Sequence, residues 1–115
     1  MTQLRNVTVL PSLARTATGT TDLGASASEF DSVDLFIDVT AVAGTGPTLA
    51  FTYQASVDGV NFYDIATGAS ITVAGRQVLN VPNRLGSVGR LSFAVGGTTP
   101  SYTFSVVAQY RRVAN

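Results

Sequence analysis

The sequence predicts an all-β fold: a single antiparallel β-sandwich or jelly-roll-like domain of seven or eight strands with an extended N-terminal segment. Three observations lead there. Apolar and polar residues alternate with period two along several stretches, the signature of strands with one buried face. Clusters rich in Gly, Pro, Asp and Thr punctuate those stretches at roughly regular intervals. No stretch carries the 3.6-residue periodicity of an amphipathic helix. A length of 115 residues makes this one domain, large enough to bury its own core.

Residues 1–31 are the extended N-terminal arm or irregular first strands, and residues 32–115 are the sandwich proper. In the arm, Leu4, Val7 and Val9 form a short alternating run that Pro11 is expected to end. Residues 13–31 are small and polar, with Gly19 and Gly24 interrupting a Thr-rich stretch. From Ser32 the alternation is clean. Val33, Leu35, Ile37, Val39 and Ala41 share one face, and Asp34, Asp38 and Thr40 the other. Residues 43–47 read as a loop by their Gly and Pro.

Leu49, Phe51, Tyr53, Ala55 and Val57 then point one way, until Asp58-Gly59 supplies the tight turn of a hairpin whose return strand opens at Phe62-Tyr63. Ile71, Val73, Val78, Leu79 and Val81 follow around a break at Gly75, and Pro82-Asn83 closes that run. Leu91, Phe93 and Val95 face inward on the next strand, and residues 96–100 read as a turn. Tyr102, Phe104, Val106, Ala108 and Tyr110 line one face of the last strand.

Composition excludes several functions. Cys, His, Trp and Lys are absent, so disulfides, His/Cys zinc sites and thiol or Ser-His chemistry are closed. No phosphate-cradling Gly motif precedes a helix, and no cofactor is expected. Only 12% of residues are charged and the formal net charge is +0, which argues against a general affinity for nucleic acid or anionic membrane. The N-terminus lacks the continuous apolar core and small-residue cleavage site of a signal peptide, so synthesis without export is expected.

The basic residues are all Arg, a side chain suited to interface ion pairs; genomic codon bias gives the same pattern. Arg5, Arg15, Arg111 and Arg112 are the candidate protein-interface residues. Carboxylate chemistry is restricted: Asp34 and Asp38 lie about 13 Å apart along one strand, too far for a glycosidase pair. Asp58 and Asp64 bracket the hairpin turn, as turn former and surface residue, as a Ca²⁺ pair or, last, as a catalytic pair. Tyr53, Phe62 and Tyr63 are core and cross-strand packing, or a stacking platform for sugar.

The segment LFIDVTAVAGTGPTLAFTYQASVDGVNFYDI resembles a unit found in small structural proteins of tailed bacteriophages, matching at Gly44-Thr45, Pro47-Thr48-Leu49, Ser56, Asp58-Gly59, Phe62-Tyr63 and Ile65. It covers about a third of the chain. Similar hairpins occur in carbohydrate-binding and immunoglobulin-like sandwiches, which often carry Trp where this chain has Phe62. The resemblance implies a non-enzymatic virion protein, first of all a capsid decoration or cement protein on the outer surface of the head. The alternatives are a neck, tail or fibre component, or a carbohydrate-binding module. It implies as partners the major capsid protein and copies of the chain itself, in a homo-oligomer such as a trimer. On this reading residues 1–31 are the contact segment, with Arg5 and Arg15 as ion-pair partners, and removing residues 2–15 leaves a folded domain.

Overall fold

The computed structural model describes residues 2–24, 30–82 and 85–113. Glu29, Asn83 and Arg84 lie outside the described residues. Six strands form one antiparallel sheet: β1 (Thr2–Arg15), β2 (Gly19–Gly24), β3 (Ser32–Ser56), β4 (Phe62–Thr67), β5 (Gly75–Val81) and β6 (Val88–Val113). The order is β1-β6-β3-β4, with β2 also on β6 and β5 also on β3.

That order follows from the length of β3 and β6, which pair with each other from Ser32↔Arg111 to Ser56↔Val88. Each has room for two neighbours on its free side. β1 and β5 flank the half of the ladder that holds Val33–Val39 and Tyr102–Tyr110. β2 and β4 flank the half that holds Leu49–Ala55 and Gly89–Phe93. The first half therefore reads β1-β6-β3-β5 across, and the second β2-β6-β3-β4.

A straight strand as long as β3, with 25 residues, would span about 80 Å at roughly 3.3 Å per residue. The longest dimension of the molecule is 49 Å, so the ladder must bend. Register shifts between Val39 and Ala41, Ala43 and Thr45, and Thr45 and Thr48 mark the place. Bulges of this kind add local twist and turn a strand without ending it. Glycine makes the bend possible. Gly44 has φ +110° and a Cβ there would lie 2.8 Å from the Thr99 carbonyl oxygen; Gly97 has φ +114° and a Cβ would lie 2.8 Å from the Gly46 oxygen.

The bend turns the apolar faces of the two halves toward each other. Phe51, in the second half, meets Phe104, in the first, edge to face at 5.2 Å between ring centroids, although their ladder partners are Phe93 and Val39. Phe93 meets Phe104 at 5.5 Å. Around these rings pack Leu35, Ile37, Leu49, Leu91 and Val106, all buried. Buried Tyr side chains need partners for their hydroxyls. Tyr53 donates to the Leu85 carbonyl at 2.7 Å, and Tyr102 to the Ile71 carbonyl at 2.7 Å.

The all-β, antiparallel expectation holds. The described residues form six strands rather than seven or eight, because the expected loops at 43–47 and 96–100 are continuous strand. Ala41 is exposed because the bulge after Val39 moves it off the inner face, and Val57 is exposed because the strand ends at Ser56. Pro11 does not end β1; it sits in an irregularity between Leu10 and Leu13 where no ladder hydrogen bond is required of it. Residues 2–15 pair along β6 from Thr2↔Val113 to Arg15↔Tyr102, with Val7, Val9 and Leu10 packed against the core. Their removal would strip a strand from the sheet, so point substitutions are the sound way to probe that segment.

Candidate functional site

Among the described residues, the features that the fold sets apart lie on its surface. The outer face of the β1-β6-β3-β5 half is the most distinctive. Consecutive strand residues alternate faces, so the buried Val33, Leu35, Ile37 and Val39 leave Asp34, Phe36 and Asp38 outside. Phe36 is the register partner of Val107 on one side and Val78 on the other. Val107 is in turn opposite Thr8. An apolar row thus crosses the middle of the face, with Phe36 43% and Val78 54% exposed. It lines a shallow cleft of about 340 Å³ completed by Asp38, Arg76 and Ser105.

Polar rows flank it. On one side Gln109 donates to Asn6 at 3.1 Å and Asn80 donates to Asp34. On the other Arg76 lies 3.7 Å from Asp38 in an open ion pair. An apolar centre inside a polar rim is the anatomy of a protein interface. In the sequence Phe36 is hidden between two aspartates on the polar face, and an aromatic at that parity is the signal of an apolar outer row.

The hairpin tip is the second exposed feature. Val57 and Val60 are 77% and 78% exposed, and Tyr63 63%. The turn beneath them is held by side chains. Asp58 Oδ1 accepts from the Val60 and Asn61 amides, both at 2.8 Å, and Asn61 Nδ2 donates to Oδ2 at 3.0 Å. Ser56 Oγ accepts from the Gly59 amide at 2.8 Å and donates to Asp58 Oδ1 at 2.9 Å. The backbone donors of Asn61 and Val60, with the side chains of Asn61 and Ser56, hold the Asp58 carboxyl well below the ordinary carboxylate range.

The sign of the linkage is set by that depression. The contribution to stability is full above the unfolded value of about 3.9 and is lost as pH falls through the folded one. Asp58→Ala is expected to lower the melting temperature at neutral pH. The gap from wild type should shrink from about pH 5 downward, as thermal melts across that range would read out. A gap independent of pH would mean the carboxylate does not hold the turn.

Asp64 accepts from Gln54 Nε2 at 2.8 Å on β4, within a cross-strand chain in which Arg90 Nε donates to Gln54 Oε1 at 2.8 Å. Both carboxylates are thus engaged by the chain's own donors. Among the described residues no three acids come together as metal ligands. The aromatic trio does not form a platform: Tyr53 is fully buried, Phe62 is covered by the Arg90 guanidinium at 3.9 Å, and Tyr63 alone is open.

The candidate arginines fall in two places. Arg5, opposite Tyr110, lies at the end of the sheet where Arg111 and Arg112 pair with Leu4 and Gln3, and all three are exposed. Arg15 lies at the other end of β1. Its Nη1 donates to the Phe104 and Leu13 carbonyls at 2.8 and 3.0 Å, its Nη2 donates to the Pro11 carbonyl at 2.9 Å, and its Cζ sits 4.4 Å from the Phe104 ring centroid. Its guanidinium therefore ties β1 to β6.

Together these features define a small, all-antiparallel β protein with an interface-like outer face. No protein-family model matches the chain, and no curated protein matches it. Its fold is similar to one seen in the crystal structure of SPBc2 prophage-derived protein YomS, with a TM-score of 0.53 over 96% of this chain and 95% of that one, at 11% identity. At that identity the likeness is one of fold. No helix among the described residues is long and apolar enough to cross a membrane.

Proposed function

We propose that this chain is a non-enzymatic structural protein of a phage particle, and specifically a capsid decoration protein that binds the outside of the head and stabilises it. The observation that carries the reading is the end-to-end similarity of fold to a prophage-derived protein. The phage-like segment found in the sequence supports it. Its Gly44-Thr45 and Pro47-Thr48-Leu49 shape the bend of β3, and its Ser56 and Asp58-Gly59 build the hairpin turn. The mechanism is multivalent: many modest contacts per shell, each too weak alone, add through their effective concentration. The partners are the major capsid protein and further copies of this chain. Synthesis is in the host cytoplasm, and assembly places the protein on the capsid surface.

A neck, tail or fibre position is the second reading, since the same fold similarity supports it equally. Copy number and location in purified particles separate the two. Hundreds of copies on the head establish decoration, whereas a few to a few dozen at the neck or tail establish the second reading. Absence from particles, with binding to glycans instead, would overturn both in favour of a carbohydrate-binding module.

A further inference from the structure

We propose that the outer face of the β1-β6-β3-β5 half is the contact surface of a twofold homodimer, with Phe36 at its centre and Arg76 of each copy paired with Asp34 of the other. The inference does not depend on the virion reading, because it concerns the purified chain alone.

The argument begins with the pattern of the face. Phe36 stands 43% exposed in the middle of a sheet, between Val107 and Val78, where a solvated face would carry polar residues. The flanking amides already satisfy one another or an acid across strands, Gln109 with Asn6 and Asn80 with Asp34. They therefore suit a rim that meets another surface without leaving buried groups unpaired. Arg76 is different. Its side chain is 87% exposed and touches Asp38 only through Nε, at 3.7 Å. The two terminal nitrogens of its guanidinium remain to take a carboxylate in the fork geometry Arg prefers.

Self-complementarity follows from the positions. In register, Arg76 lies one strand over from Phe36 and one row toward Asp38, while Asp34 lies on the strand of Phe36 one row the other way. Neighbouring strands are about 4.8 Å apart, and rows on one face about 6.8 Å apart. Consider a twofold axis in the plane of the face, crossing the strands between Phe36 and Val78 and tilted roughly 20° from their perpendicular, as those spacings dictate. It carries Arg76 onto Asp34 of the second copy. The same operation brings Phe36 to within about 2 Å, in projection, of Phe36 of the second copy on that idealised grid, and Val78 likewise. One axis therefore satisfies both the apolar row and the charges, twice over, as an isologous interface requires. The net charge of +0 adds no overall repulsion between copies.

Sedimentation equilibrium of the purified full-length chain tests this. A dimer is expected at micromolar concentration. Phe36→Glu is expected to weaken it at least about 30-fold, the effect of losing an interface hot spot, with far-UV circular dichroism unchanged. Val78→Lys, at another exposed position, provides a second variant should Phe36→Glu disturb the fold. Arg76→Asp is expected to weaken the dimer, and Arg76→Asp combined with Asp34→Arg to restore it. A wild-type chain that stays monomeric at 100 micromolar overturns the proposal; so does a dimer indifferent to Phe36→Glu and Val78→Lys. Failure of the charge swap to restore association overturns the twofold register. A monomer whose Phe36→Glu variant loses binding to particles assigns the face to a shell protein and overturns the second-copy assignment.

Discussion

Phe104→Ala is expected to lower the free energy of unfolding by about 3–5 kcal/mol, the range for emptying a large aromatic site in a close-packed core. The side chain is fully buried and edge-on to Phe51 at 5.2 Å and to Phe93 at 5.5 Å. It joins the two halves of the bent sheet, so its removal leaves a void between them that neither half can close alone. It also removes the ring under the Arg15 guanidinium, whose remaining partners are carbonyls. Urea denaturation measures the loss, and Phe104→Leu, which keeps most of the volume, should recover a large part of it. A cost below about 1 kcal/mol, the range of an ordinary surface substitution, would show that the halves are not held together through this ring.

Gly97→Ala is expected to cost about 2–4 kcal/mol. Roughly 1–3 kcal/mol comes from forcing an L residue to a positive φ, and the rest from the backbone shift needed to clear a contact. The new methyl would lie 2.8 Å from the Gly46 carbonyl oxygen and 2.9 Å from the Pro47 Cα, both backbone atoms that no rotamer change can move. Gly46→Ala is the internal control. Its φ of +58° lies in the left-handed region, but nothing stands within 4 Å of the added carbon. That variant should show the strain without the clash and lose about 1 kcal/mol. Equal losses at the two positions would mean that close packing of the two paired strands at the bend is unimportant. Denaturant midpoints for the pair decide it.

Much of the inner surface was legible in the sequence. The alternation at Val33–Val39, Leu49–Ala55 and Tyr102–Tyr110 marks buried residues correctly, because one face of each strand is dry and period two records that directly. The hairpin was legible for the same kind of reason, since Ser56, Asp58, Gly59 and Asn61 make local hydrogen bonds that depend on near neighbours alone.

Residues 43–47 and 96–100 have the composition of loops and are strand. Their glycines at positive φ belong to a turn vocabulary, but here they let two paired strands bend together, and whether a partner strand bends alongside is a long-range fact. The role of Arg15 was hidden likewise: its acceptors include the Phe104 carbonyl, 89 positions away. Phe36 was written in plain view on the polar side of its strand. A face can be told from alternation, but its occupant cannot.

The layout of the outer face has a consequence for timing. Its four strands come from residues 2–15, 32–56, 75–81 and 88–113, so the last of them is also the last made. Ser32 meets Arg111 across 79 positions, whereas Ser56 meets Phe62 across 6. Local pairing at the hairpin can form early, and the distant pairings wait on the closure of long loops. Until β6 has been made, the row of Val107, Phe36 and Val78 does not yet exist as a surface. On the proposed dimer, nascent chains that have not reached β6 therefore have no such face to recognise.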